Sequence, residues 1–426
     1  MDVEKIVDLQ RWNAVYLLSA LCTIFMSMAV AIQPLFLREV LHIPFDTAGS
    51  INANIMVTTE IFDIMVITLF GYLSDRHGRV VMITAGFLVA AIGALLVPFS
   101  AEIALLLGIG GLAVYYLFRI VMSLGSAVVW TQLGVLAGDF TNFDDRPKML
   151  AKSAFMMAFG ATLVYAVCMQ IPRYSGILAF MLFAVIVALS GVYIARTCLQ
   201  DVITPDVDNE PPWTDGFVVL LESQKMRLAF AAAFFSRSDM VFMGMFMMLW
   251  FIYFADLVHI DHAEAVARAG LLIGYAGVVM LVTIPLWGRV IDRIGRVQSL
   301  IAGLAISACG FLLMIFVVNP FEWLIVLPVT LIALGQASCL IAPQILVIDL
   351  APAKIRGLML GGFNLVGGIG VIICVQVGGM AFDSIGPFAP FVFIGLCNLV
   401  VIFYALWVIK DWIIERLFLT QASNRN

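Results

Sequence analysis

Five charged residues stand where charge is most expensive. Glu60, Asp63, Arg119, Arg237 and Asp239 each lie inside a stretch of otherwise apolar sequence. The 426-residue chain is 63% hydrophobic and 12% charged, with a mean hydropathy of +1.07. Soluble domains are about 45–50% apolar and about 25% charged, so the solvent of this chain is lipid. An ionisable side chain at the bilayer centre costs roughly 2.5–3.5 kcal/mol on insertion scales, and such a group faces a partner or a wet cavity. Glu60 and Asp63, three residues apart, share one helix face and suit a protonation or cation site. Asn52, Asn54 and Thr59 offer further oxygens towards the same mouth. The competing reading is an acid pair capped by neighbouring helices or located in the outer vestibule. Arg119 is a permanent cation that calls for an anion, and Glu60, Asp63 or an anionic substrate are the candidates. Arg237 and Asp239 are about 200° apart on a helix, so they are not expected to pair with each other.

The elements that must position these groups are transmembrane helices. Apolar runs of the length a ~30 Å hydrocarbon core requires occur at about 13–37, 47–73, 80–100, 105–133, 149–172 and 176–196. Six more follow at about 227–255, 266–288, 298–318, 321–345, 357–382 and 386–410, giving twelve expected helices. Eighteen Lys and Arg residues fall on one side of this scheme, against Arg38, Arg173 and Arg268 on the other. By the positive-inside rule both termini are expected in the cytoplasm. The first run is too long for a cleaved signal and ends in no small-residue cleavage site, so none is expected. The expected organisation is a six-helix bundle at 1–196, a cytoplasmic linker at 197–226, a second bundle at 227–410 and a cytoplasmic tail at 411–426. Within the linker Pro205, Pro211 and Pro212 mark irregular chain. Thr214-Asp215, followed by Phe217-Val218-Val219-Leu220-Leu221, predicts a short helix at the inner interface.

A charged turn recurs in both halves. Gly71-Tyr-Leu-Ser-Asp75-Arg76-His-Gly78-Arg79 is matched 217 residues later by Gly288-Arg-Val-Ile-Asp292-Arg293-Ile-Gly295-Arg296. At an offset of 210, Gly125 matches Gly335, Asp139 matches Asp349, Arg146 matches Arg356 and Gly160 matches Gly370. Nine matches at two consistent offsets point to internal duplication of a membrane protein.

These residues resemble the major facilitator superfamily of secondary transporters over essentially the whole chain. The first turn fits that family's signature between helices 2 and 3, and the second fits the weaker copy between helices 8 and 9. Asp349-Leu-Ala-Pro-Ala-Lys-Ile-Arg356-Gly357 resembles the family pattern after helix 10, and Arg119 with Gly125 resembles the arginine motif of helix 4. The resemblance implies an all-α membrane protein, two six-helix bundles around a central cavity, working by alternating access. It also implies that Gly71, Asp75, Arg76, Gly78, Arg79, Gly288, Asp292, Arg293, Gly295 and Arg296 form gating motifs. The segment Phe159-Gly160-Ala161-Thr162-Leu163-Val164 departs from the Gly-Pro run of the drug-antiporter branch, which weighs against a multidrug exporter. The opening, Arg11-Trp12-Asn13-Ala14-Val15-Tyr16 and then Ile24 to Pro34, is similar to that of magnetosome-associated members. That likeness implies iron as cargo and an inner-membrane or magnetosome-membrane location.

Softer signals carry less. Met240, Met243, Met245, Met247 and Met248 are read as adaptable packing rather than soft metal ligands. His259 and His262, with Asp256, Asp261 and Glu264, are read as a solvated acidic loop. Seven scattered Cys form neither a disulfide framework nor a metal spacing. No nucleophile motif or nucleotide loop occurs, so neither enzyme nor cofactor is expected. The expected partners are the lipid bilayer, a small solute or metal ion, protons and other membrane proteins, with no nucleic acid and no assigned metal ligands. The alternatives are a proton-linked importer or exporter of a small organic solute or drug and, from a different class, a non-transporting sensor or scaffold that keeps the fold.

Overall fold

The computed structural model describes residues 9–139, 146–200, 213–352 and 355–423, and all regular structure among them is helical. The first repeat holds α1 Leu9–Glu39, α2 Ala48–His77, α3 Arg79–Leu96, α4 Ser100–Leu107, α5 Gly111–Asp139, α6 Arg146–Ala166 and α7 Ile171–Cys198. A short α8, Trp213–Glu222, stands where the linker helix is expected. The second repeat holds α9 Gln224–Val241, α10 Met247–Val258, α11 His262–Ile294 and α12 Arg296–Leu313. It closes with α13 Val326–Leu350, α14 Arg356–Ser384 and α15 Ala389–Ser423. A π-helical turn at Phe242–Phe246 carries α9 into α10. Ten stretches among the described residues are long and apolar enough to cross a membrane. One of them, 152–198, folds as two helices, α6 and α7, joined by the tight turn Cys168–Gln170.

Two boundaries depart from the hydropathy pattern for local reasons. The apolar run expected to start at 105 begins as a helix only at Gly111. Gly108, left-handed at φ 67°, ends α4 inside that run. The run expected from 321 starts as α13 at Val326. Asn319 first turns the chain by accepting from the Phe321 amide at 2.9 Å.

The duplication is visible in how helices touch. In the first repeat, a Cβ on Gly125 of α5 would lie 2.4 Å from the Ala90 nitrogen of α3 and 2.6 Å from the Gly86 oxygen. In the second, a Cβ on Gly335 of α13 would lie 2.4 Å from the Gly303 oxygen and the Ser307 nitrogen of α12. These pairs obey the same offsets as the sequence repeat, and Gly93 against Met122 matches Gly310 against Ile332 in the same way. Small residues bring backbones together where lipid gives no hydrophobic reason for helices to associate. Opposite the seam, α3 turns Val81, Leu88, Ile92 and Leu95 outward. Gly160 on the Ala20 oxygen of α1 and Gly370 on the Phe234 oxygen of α9 are a further matched pair.

Contacts divide the chain into two compact units, Met1–Asp206 with Gly244–Gly277, and Val207–Met243 with Val278–Asn426. Two of the three divisions fall inside the π-helical turn and between Gly277 and Val278 of α11. In the first unit Phe25, Phe36, Phe87, Tyr115 and Phe180 are fully buried, with Phe36 stacked on Tyr115 at 4.9 Å. The second unit packs Met226, Phe230, Leu300, Leu304, Leu346, Val347 and Met359 into one cluster. There α8 seats Gly216 on Leu358 and leaves Phe217, Val218 and Leu221 exposed.

Candidate functional site

A polar stripe runs down α2 in the first unit. Asn52, Met56, Thr59 and Asp63 are buried and recur at helical spacing, while Ile61, Phe62, Met65 and Leu69 are exposed on the other faces. Gln33 of α1, fully buried, donates through Nε2 to the Asn52 backbone oxygen and to Asn52 Oδ1, both at 3.1 Å. The same nitrogen lies 3.9 Å from Met245 Sδ.

Lower on the stripe α5 supplies the partners. Arg119 and Ser123 are four residues apart and so share a face. Ser123 donates to Asp63 Oδ2 at 2.7 Å, and Arg119 Nη2 lies 3.9 Å from Met56 Sδ. Arg119 is 3% exposed, and its Nε has no hydrogen-bond partner among the described residues. Asp63 Oδ1 and Gln33 Oε1 also have none. Asp63 lies close enough to feel both the Glu60 and the Arg119 charge, so three of the five charges gather in one neighbourhood. Thr59 turns its hydroxyl onto the Met56 oxygen, and Asn54 is exposed away from the stripe.

The other two charges separate as their spacing dictates. Arg237 of α9 is partly exposed and donates to the Asn364 backbone oxygen at 3.0 Å and to Asn364 Oδ1 at 3.4 Å. Its stem crosses α14 at Gly367, where a Cβ would lie 2.8 Å from Arg237 Cδ. Asp239 points elsewhere, fully buried; no hydrogen bond of strict geometry reaches its carboxylate oxygens among the described residues, though the Asn398 side chain stands near enough to act on it. Around it stand Ser238, Cys339 of α13, Cys374 of α14, and Cys397 and Asn398 of α15. Both amide atoms of Asn398 and the Ser238 hydroxyl are likewise buried without a hydrogen bond of strict geometry among the described residues, Asn398 facing Asp239 and Ser238 facing Cys374. Taking a charge out of water without a partner costs several kcal/mol. A carboxyl so placed is suited to exchanging a proton or a small cation.

The duplicated turns are conformational twins. Gly78 has φ 92° and ψ 147°, and Gly295 has φ 98° and ψ 161°; each ends one helix and opens the next. The Gly78 amide donates to the Ser74 oxygen at 2.9 Å, and the Gly295 amide to its counterpart, the Ile291 oxygen, at 3.0 Å. Only glycine takes this backbone region without strain. Arg296 Nε donates to Asp349 Oδ2 of α13 at 2.8 Å, which ties the turn to the seam helix. The corresponding residues in the first repeat are Arg79 and Asp139, and the Asp139 side chain lies outside the described residues. So does that of Asp75. Arg76, Asp292 and Arg293 are exposed, and Gly288 sits in α11 with open space about it.

Ser123 and Asn398 were not singled out from the sequence. Ser123 could have been found four residues beyond Arg119, and Asn398 as the lone Asn in an apolar run. A cavity of about 480 Å³ at Asn13, Tyr16, Leu17, Lys152, Phe155 and Met156 touches none of the five charges. Among the described residues no three His, Cys, Asp or Glu side chains converge as a metal site.

Two repeats of apolar helices, each broken by a matched glycine turn, define a polytopic membrane protein. The Major Facilitator Superfamily model matches residues 15–280 and 239–415, and the chain belongs to that family. It is 52% identical to the magnetosome protein MamH of Paramagnetospirillum magneticum, over 95% of this chain and 94% of that one. It is 37% identical to the magnetosome protein MamZ of the same organism, over 95% of this chain but only 64% of MamZ. Among solved structures, the nucleoside transporter NupG superposes with a TM-score of 0.72 at 14% identity, covering 93% of this chain and 99% of NupG. A D-xylose-proton symporter superposes with a TM-score of 0.72 at 16% identity, covering 92% of this chain and 95% of the symporter.

Proposed function

We propose that this multi-pass membrane protein is a proton-linked secondary transporter that carries iron, as an oxyanionic complex, across the inner membrane or the magnetosome membrane. The observation that carries the reading is Arg119, a buried guanidinium beside Asp63, its Nε and one Asp63 carboxylate oxygen having no hydrogen-bond partner among the described residues. A bare cation gains nothing from a permanent positive charge in its site, whereas a carboxylate-bearing chelate is matched by one. Asp63, Glu60 and Asp239 are then the proton-exchanging groups, working by alternating access between the two repeats. The magnetosome relatives and the similar opening of α1 support iron as the metal. The same geometry also suits a small organic carboxylate, which is the second reading.

Uptake by proteoliposomes tests both. Labelled ferric citrate, free ferrous ion and a panel of organic acids are offered with and without an imposed pH gradient. Ferric citrate is expected to enter above empty liposomes, faster with the gradient, and Arg119→Gln is expected to slow it about ten- to a hundredfold, the worth of one charged hydrogen bond. Iron entry equal to that of empty liposomes in both forms, with entry of an organic acid, would establish the second reading. A flux untouched by Arg119→Gln would remove the anion-binding role.

A further inference from the structure

The end of the helices opposite the charged turns holds an ion-pair network that the sequence did not suggest. His262, the first residue of α11, is largely buried, its side chain 16% exposed. Its Nδ1 meets Glu39 Oε1 at the end of α1, and its Nε2 meets Asp256 Oδ1 of α10 at 2.7 Å. Arg38 closes the circuit, with Nη2 2.9 Å from Asp256 Oδ2 and its guanidinium 4.2 Å from the Phe45 ring centre. Phe45 in turn meets Tyr253 of α10 edge to face at 5.2 Å. All of these groups belong to the first compact unit.

Counting protons decides what this arrangement needs. Ionised carboxylates only accept hydrogen bonds, and a neutral imidazole has a single N–H. A ring with a carboxylate on each nitrogen therefore requires one proton more than neutral histidine and two carboxylates supply. With that proton, Glu39, His262, Asp256 and Arg38 sum to zero charge. Without it, the network carries a net negative charge and one ring nitrogen turns a lone pair on a carboxylate.

The other titratable and charged groups at this end are already engaged or set apart. Asp261 caps the start of α11, accepting from the Ala263 and Glu264 amides at 3.0 and 3.2 Å. Glu264 is shared by Arg173 of α7 at 2.5 Å and Arg268 at 2.9 Å. His42 and His259 sit at left-handed turn positions, and Asp46 lies in the short turn after His42.

We propose that His262, Glu39 and Asp256 form a proton-binding site whose occupancy clasps the end of α1 to α10 and α11. The clasped form binds the proton, so by linkage it is favoured at low pH on that face and loosens as pH rises. On the orientation expected from the positive residues, that face is the outer one, and the clasp makes its opening sensitive to outer acidity. Nothing in this proposal depends on the identity of the cargo.

Hydrogen–deuterium exchange of the full chain in lipid nanodiscs tests it, with no transport assay. The reporters are the amides of Val40, Ile43, Ile260 and Ala265, each bonded to a backbone oxygen beside the network. Exchange is followed between about pH 5 and about pH 8, the interval over which histidine side chains change charge, and corrected for intrinsic rates. In the wild type these amides are expected to exchange about tenfold faster at the alkaline end, the loss of one charge-assisted hydrogen bond. His262→Arg, a permanent cation, is expected to abolish the pH dependence with protection kept. His262→Gln and Glu39→Gln are expected to abolish it with protection lost, and His259→Gln to leave it as in the wild type. Wild-type protection that does not change with pH, or an unaltered pH response in Glu39→Gln, would overturn the proposal.

Discussion

At Gly86, Gly93 and Gly125 the first repeat brings α3 and α5 into backbone contact, and at Gly303, Gly310 and Gly335 the second does the same with α12 and α13. The charges of the turns are copied, but those inside the apolar helices are not. Where the first repeat has Asn52, Glu60, Asp63 and Arg119, the second has Ala269, Gly277, Met280 and Val329 at the same offsets. Conversely, if Gly160 on Ala20 is matched with Gly370 on Phe234, then Arg237 and Asp239 correspond to Thr23 and Phe25. Duplication has preserved what helices need to pack in lipid. The polar groups inside the apolar helices differ between the halves, and that is the pattern expected when scaffold and cargo chemistry are under different demands.

The shared skeleton is most exposed to mutation at the seams. Gly125→Leu and Gly335→Leu each force a side chain into backbone atoms already at contact distance, so each is expected to cost more than the ~1–3 kcal/mol of ordinary overpacking. Both should lose most folded, monodisperse protein in a thermal size-exclusion assay. A large loss in one and none in the other would show that the repeats do not share a skeleton.

The turns come next. Gly78→Ala and Gly295→Ala place a Cβ in a left-handed backbone, at roughly 1–2 kcal/mol each. Equal falls in melting temperature are expected, and a marked inequality would separate the twins. Smallest is Arg296 with Asp349, whose side chains are 36% and 42% exposed. Either charge reversal alone should cost about 0.5 kcal/mol, and the double reversal should recover most of it in a double-mutant cycle.

Much of this skeleton was legible beforehand because its signals are local. Apolar length gave the helices, and the Gly-to-Arg turns gave the repeat, since a glycine that must end a helix leaves a mark in the sequence. The membrane acids were legible too, as rare residues in the wrong solvent. What the sequence withheld depends on rotation and on distant partners. Nothing local reveals that Ser123 rather than Arg119 bonds Asp63, that Asn398 lies beside Asp239 on a helix 159 positions further on, or that His262 reaches Glu39 across 223 residues. The loop read as solvated acid is the clearest case. Its composition is that of a surface, and only the fold brings α1 against it.

We propose that the unduplicated acids exchange protons as cargo moves. It is tested most directly by proton flux into proteoliposomes holding a trapped pH-sensitive dye, driven only by a gradient of ferric citrate. The wild type is expected to move protons with the cargo. Asp239→Asn and Asp63→Asn, folded to the same melting temperature, are expected to lose that flux. Equal proton movement in wild type and both variants would contradict the claim.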